Sequence, residues 1–227
     1  PTGYLRAPSS NALAFVFQSF LDEVALAAGT DLPELMRRTL GEARVMKHGN
    51  RPGMDGSAPE FNTGRARAVI DKVCQMAGWT GRSGGDAGNG VRKGRGFGFY
   101  YSHRGYFAEV VDVTVAKNGK VSVDKVWVAG DVGRQIINPI NALHQAQGSV
   151  IDGDGAANRT NFHDYPLPRI GDAPEDVVVE WVISDNDTTG LGEPALPPVI
   201  PAIANAIFAA TGKRIRSLPV VPAELAV

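Results

Sequence analysis

"GFGFYYSHRGYFAEVVDVTVAKNGKVSVDKVWVAGDVG", residues 96–133, decides the class of the fold. From Arg95 onward the residues alternate in type with a period of two, the pattern of strands with one face buried. Asn118-Gly119 separates two such segments and is a two-residue hairpin signal, because both central positions of that turn need positive φ. A third alternating run, "EDVVVEWVIS" at 175–184, predicts one more strand.

Helical patterns surround these strands. Residues 10–28, "SNALAFVFQSFLDEVALAA", bring Leu13, Phe17, Leu21, Val24 and Ala28 onto one face, with Gly29 as the stop. That face is expected to pack on the sheet. A second helix is expected over "DLPELMRRTL" (31–40), with Asp31 as cap and Gly41 at its end. A third covers "NTGRARAVIDKVCQMAG" (62–78), a small-residue helix covers "INPINALHQAQGSVIDG" (137–153), and an apolar one follows the prolines at 197, 198 and 201. Nine glycines fall between 78 and 98, which predicts a loop, mobile or tightly turned, feeding the sheet. Helices and a meander in this order make an α+β fold with helices packed on an antiparallel or mixed sheet. One domain over 1–227 is expected, with a subdivision into a helical half (1–94) and a sheet half (95–227).

The bulk composition narrows the function classes. The 227 residues are 43% hydrophobic and 21% charged with a net charge of −1, so no global charge favours nucleic acid or an anionic membrane. Arg82, Arg92, Lys93 and Arg95 lie close together, but balancing acidic residues and the strand pattern that follows favour a loop feeding a sheet over a nucleic-acid segment. No run of apolar residues reaches membrane-spanning length. The single cysteine, Cys74, excludes an internal disulfide and a cysteine cluster site in this chain, and its helical setting makes it a small buried hydrophobe. The chain starts at Pro1 rather than methionine, which suggests a fragment or a processed product, so that any export signals could have been lost upstream.

One short stretch carries chemistry. In "TTGLGEPALPPVIPAIANAIFAATGKRIRSLP" (188–219), Pro194 restricts the backbone of Glu193, and Gly190 and Gly192 leave the neighbouring chain bare. A single carboxylate is held on a stiff turn ahead of a helix that ends at Gly212. Composition alone allows an ordinary surface loop. His48, His103 and His144 have no metal-ligand spacing and read as structural. Asp131 in "GDVG" reads as a turn cap. His163 and Asp164 in "NFHDY" are adjacent on an extended segment and point apart, so a structural or channel-lining role is favoured.

Three separated segments together resemble the molybdenum hydroxylases of the xanthine oxidase family. They are "PTGYLRAPSSNALAFVFQSFLDEVALAAGTD" (1–31), "GDVGRQIINPINALHQAQGSVIDG" (130–153), with the family's D-x-G…N-P…Q-x-x-G order, and 188–219 with G-x-G-E-P. "NFHDYPLPRI" and "PAIANAIFAATGKRIRSLP" are most similar to the C-terminal molybdopterin-binding part of isoquinoline 1-oxidoreductase β-subunit-like and aldehyde dehydrogenase large subunits. The resemblance implies a molybdopterin cofactor with molybdenum, in the cytosine dinucleotide form, and oxidation of an aldehyde or N-heteroaromatic substrate with oxygen from water. It makes Glu193 the catalytic base and Arg6, Gln145, Gly148 and Gly192 cofactor-binding residues, with no side chain ligating the metal. Pro8 stands where xanthine-oxidising relatives have an aromatic residue, which removes a stacking surface and argues against purines.

The implied partners are the N-terminal part of the large subunit, a separate [2Fe-2S] subunit and a cytochrome c, and the resemblance favours a periplasmic or membrane-associated site. The family's G-Q-G loop is not found in the chain, and the segment 150–162 is shorter than in relatives. The isolated chain is therefore expected to be inactive. Two rival readings stand beside this one: a cofactor-free, non-catalytic fragment or assembly module, and a hydrolase pairing Glu193 with His163.

Overall fold

The computed structural model of the chain describes residues 6–47, 60–152 and 173–227. A five-stranded sheet runs β3 (Ser83–Gly88), β4 (Val91–Ser102), β5 (Gly105–Val115), β6 (Val121–Asp131) and β7 (Asp176–Trp181), in that order. β3 to β6 are antiparallel, and β7 lies parallel to β6 at the far edge, after a crossover that contains α4 (Pro139–Asp152). A minor antiparallel pair joins β1 (Val45–Met46) and β2 (Phe61–Asn62). The fold is α+β with a mixed sheet. β4 runs across residues 94 and 95, and helices from both halves pack on the one sheet.

Both faces of the sheet are covered. On one side α2 (Leu32–Leu40) and α3 (Thr63–Met76) bury Leu32, Val69, Ile70 and Val73 against Phe97, Phe99, Tyr106 and Val110. On the other, α5 (Leu196–Thr211) buries Val199, Ala202, Ala206 and Ile207 against Phe107, Val111, Val126 and Val128. The helix ends follow local chemistry. Asp31 accepts the Glu34 N–H at 2.9 Å, Asn62 caps α3, and Gly212 closes α5 in the left-handed conformation at φ 71°. Cys74 is buried, and burial pushes its thiol up to about 11, so it behaves as the small hydrophobe expected.

The glycine-rich segment is not the expected loop. It forms β3 and most of β4, and the glycines are what the packing needs. Along β4, Arg95, Phe97 and Phe99 alternate with Gly94, Gly96 and Gly98. Cβ atoms on those glycines would stand 2.1 Å from the Ala206 oxygen, 2.2 Å from the Ala202 oxygen and 2.3 Å from the Pro198 oxygen. The backbone of α5 therefore rests directly on the backbone of β4. Beyond Arg95 β4 has no paired strand on the β3 side among the described residues, and side chains from two helices take over. Gln18 of α1 (Ser10–Ala27) accepts the Phe99 N–H at 3.1 Å, and Asn205 of α5 donates to the Phe97 carbonyl at 3.0 Å. Two polar residues are buried because the edge of the strand needs them.

The orientation expected for α1 is reversed. Ala14, Gln18, Asp22 and Ala25 face inward, whereas Leu13, Val16, Phe17, Phe20 and Val24 form an outward stripe, Phe20 being 61% exposed. Leu21 is half-buried at the margin of the core. The reason is the neighbour: α1 lies on the alanine-rich α5, where small residues permit close approach, and its inward polar groups serve β4 and two arginines. The hairpin at 118–119 also differs. Its loop is the three residues 117–119, closed between Ala116 N–H and the Lys120 carbonyl at 2.9 Å, with Gly119 at φ 82°.

Glu109 is fully buried on the α5 side of β5, between Phe107 and Val111 and beside Gly98 and Val128 of the adjacent strands. Neither carboxyl oxygen has a hydrogen-bond partner among the described residues. Nearby, α5 begins with Pro197 and Pro198, which lack the N–H groups that a helix start ordinarily offers. Burial pushes the Glu109 carboxyl well above the ordinary 4.5. The folded state thus binds a proton that the unfolded chain releases, so stability present below pH 4.5 is lost as pH rises toward the folded value. Glu109→Gln is expected to flatten this fall and to raise stability at pH 7 by up to ~3 kcal/mol. Denaturant midpoints at pH 5, 7 and 8.5 test it; parallel profiles for the two proteins would contradict the neutral-acid assignment.

Candidate active site

The loop between β7 and α5 is laid along the end of β6 by backbone bonds. Val182 N–H donates to the Gly130 carbonyl at 2.9 Å, Arg134 N–H to Asn186 at 2.9 Å and Thr189 N–H to Val132 at 2.8 Å. This places Gly192 and Glu193 at one end of the sheet, directly before the first turn of α5. α4 starts at the same end. Asn138 caps it by accepting the Asn141 N–H at 3.0 Å, and Gln145 and Gly148 follow on neighbouring turns of one face.

Arg6 joins these two elements. Its Nε donates to the Gly192 carbonyl, and its Nη2 donates to both the carbonyl and the Oε1 of Gln145, at 2.9 and 3.0 Å. A Cβ on Gly148 would lie 3.7 Å from Arg6 Nη1. Four residues picked out at positions 6, 145, 148 and 192 thus form one cluster, although they come from three segments far apart in the chain. Cβ atoms on Gly190 and Gly192 would meet no described atom within 4 Å, so the chain is bare on this side. Beside it lies a cleft of about 210 Å3 whose polar lining is amide and hydroxyl: Gln135, Asn138, Asn141, Gln145 and Thr188, with Val132, Ile136 and Leu191 as apolar walls.

The Glu193 carboxylate does not stand alone. His103 Nε2 lies 2.5 Å from its Oε2, and both side chains are about two-fifths exposed. The reading of His103 as an isolated structural histidine is therefore corrected. The contact spans ninety positions of sequence and leaves no local motif. One signal was present: "SHRG" separates two long alternating runs by only two residues, His103 and Arg104, and so marks a tight turn with no glycine in it. Asp131 caps its turn as expected, accepting the Gly133 N–H at 2.9 Å. It also holds Arg65 in a buried bidentate pair at 2.6 and 2.9 Å. His48, His163, Asp164 and most of 150–162 lie outside the described residues. Arg82 and Arg95 are engaged internally, by Asp22 and Asp112, rather than gathered into a basic patch.

A guanidinium, an uncharged amide set and exposed glycine backbone suit a polyanionic, heterocyclic prosthetic group better than a bare cation. Among the described residues no three His, Cys, Asp or Glu side chains gather to hold a metal ion, and no single helix is long and apolar enough to cross a membrane.

No protein-family model matches the chain. It is 32% identical over 193 residues to the isoquinoline 1-oxidoreductase subunit beta of Brevundimonas diminuta, covering 79% of this chain and 24% of that protein. It is 30% identical over 240 residues to the membrane-bound aldehyde dehydrogenase [pyrroloquinoline-quinone] of Gluconacetobacter polyoxogenes, covering 98% of this chain and 29% of that one. Among solved structures, the aldehyde oxidoreductase of Desulfovibrio gigas superposes with a TM-score of 0.71 at 15% identity, over 98% of this chain and 41% of that one, and so shares its fold. The chain spans less than a third of the length of these two curated relatives.

Proposed function

This chain belongs to the xanthine oxidase family of molybdenum hydroxylases, and on that premise we propose that it forms one wall of the active site in the large subunit of such an enzyme, acting on an aldehyde or N-heteroaromatic substrate. The observation that carries the proposal is the convergence of Arg6, Gln145 and Gly192 beside Glu193 at one end of the sheet. Family membership implies molybdopterin with molybdenum and an iron–sulfur partner subunit. The cytosine dinucleotide form, a cytochrome c as the next acceptor and a periplasmic or membrane-associated location belong to the same proposal. The name of the Gluconacetobacter relative supports the last of these.

Arg6, Gln145, Gly148 and Gly192 would hold the cofactor, and when bound it supplies the oxidising centre and the oxygen derived from water. The other steps fall to side chains of this chain. Glu193 stands as the proton acceptor two residues beyond Leu191 of the cleft wall, where a restricted carboxylate is suited to general-base work. Gln145 donates or accepts without adding charge. Arg6 fixes the position of Gln145 and of the carbonyl just before Glu193, so the base and the amide are set by one guanidinium. The apolar walls of the cleft favour a flat or aldehydic substrate over a charged one. The outward stripe of α1, five large apolar side chains on one helix face, supports the N-terminal part of the large subunit as a partner of this segment.

Gly192→Ala separates a cofactor wall from an ordinary loop. Its φ lies outside the left-handed region and the space around it is open, so the chain should melt unchanged. In the complete enzyme the added methyl occupies space reserved for the cofactor, and molybdenum per large subunit should fall severalfold. Full molybdenum occupancy in that variant would count against the proposed binding wall.

A further inference from the structure

His103 sits in an unusual place for a histidine. With Arg104 it forms the entire connection between β4 and β5, and both residues are left-handed, at φ 52° and 64°. Two-residue turns of this kind favour Asn or Asp followed by Gly, because side chains with a Cβ are strained at positive φ. Strain kept in a turn points to a task for the side chain held there. The turn is braced against the loop that carries Glu193. A Cβ on Gly105 would lie 2.9 Å from both Cβ and Cγ of Pro194, so the residue after Glu193 fills the space that Gly105 leaves. On the other flank, Thr189 N–H is tied to Val132 at 2.8 Å. His103 is the only side chain within ion-pair distance of the Glu193 carboxylate among the described residues.

We propose that His103 is a positioning residue: its Nε2–H donates to Glu193 Oε2 and leaves Oε1 as the oxygen that accepts the proton. The proposal rests on the base role given to Glu193 above. An ionised carboxylate only accepts hydrogen bonds, so the contact requires the proton on Nε2. A Glu side chain has three rotatable bonds, and at two-fifths exposure burial alone does not select one rotamer. The donor does so from a turn whose backbone is fixed by eleven paired residues on each strand. The role is positional, and His103 is not itself required to touch the substrate.

Two substitutions at one position test this without relying on the fold. His103→Asn places a residue that tolerates the left-handed region at the same turn, but its side chain is too short to span the gap. His103→Gln restores the reach and an amide N–H donor. In the complete enzyme His103→Asn is expected to lower kcat by roughly 10–100-fold, the range that follows when a partner orienting a metal ligand is removed, with KM and molybdenum content unchanged. His103→Gln should recover most of that loss. In the complete enzyme, the 15N signal of His103 Nε2 should move on Glu193→Gln. Undiminished kcat in His103→Asn, equal loss in both His103 variants, or an unmoved 15N signal overturns the positioning role. Separately, full activity of molybdenum-replete Glu193→Gln overturns the base reading on which it rests.

Discussion

Glu193→Gln in the complete enzyme is expected to retain molybdenum and KM while losing at least ~10²-fold in kcat. The amide has nearly the shape of the carboxylate and can still accept a hydrogen bond from His103, so the loop should keep its path. What it lacks is the capacity to take a proton. The split between kcat and KM matters, because a loss seen only in KM would mean that Glu193 binds substrate without acting on it. The measurement is steady-state kinetics on protein whose metal content has been matched to the parent. Unimpaired kcat would remove Glu193 from the catalytic role.

The largest effect on stability is expected at Asp22. Its two oxygens accept from Arg82 and Arg214 at 2.5 and 2.6 Å, and all three side chains are largely buried. The ring of Phe208 lies against both guanidinium groups, 3.5 Å from that of Arg214 and 5.4 Å from that of Arg82. Asp22→Ala leaves two buried cations facing one another with no anion between them, which should cost ~3–5 kcal/mol. Asp22→Asn keeps one acceptor and should cost less. A urea titration shows the difference as a shift in midpoint at constant slope; a shift of under ~1 kcal/mol for the alanine variant would mean that water already reaches the pair. The site has a stake in this cluster, since α1 follows Arg6 and α5 follows Glu193, and Asp22 ties α1 to Arg214 just beyond the end of α5.

What could be read in the sequence divides along a physical line. Caps, stops and strand alternation are set within a few residues, so Asp31, Gly212 and the strands from Arg95 to Asp131 follow from local pattern. The order of three distant segments around Arg6, Gln145 and Glu193 was legible through resemblance. Three features were not, each because a partner elsewhere decides it. The stripe of Leu13, Phe17 and Val24 announces a helix but does not say which face it buries, and α5 takes the alanine face instead. The glycines from 84 to 98 suggest a loop by composition, whereas strict alternation with Arg95, Phe97 and Phe99 holds the true signal. The His103 contact with Glu193 joins a turn to a loop, and no short motif encodes it.

The contact of α5 with β4 has a geometric consequence for how this chain can vary. Alternate residues of a strand repeat about every 6.6 Å, and every fourth residue of a helix repeats about every 6 Å. The oxygens of Pro198, Ala202 and Ala206 meet Gly98, Gly96 and Gly94 in step, like two combs of nearly equal pitch. Small axial slips are blocked, because the next fit lies a whole tooth away. An insertion or deletion between β7 and α5 therefore cannot be taken up by sliding the helix. It must be taken up within 182–195, the loop that carries the carboxylate, so changes of length there should alter chemistry before they alter stability.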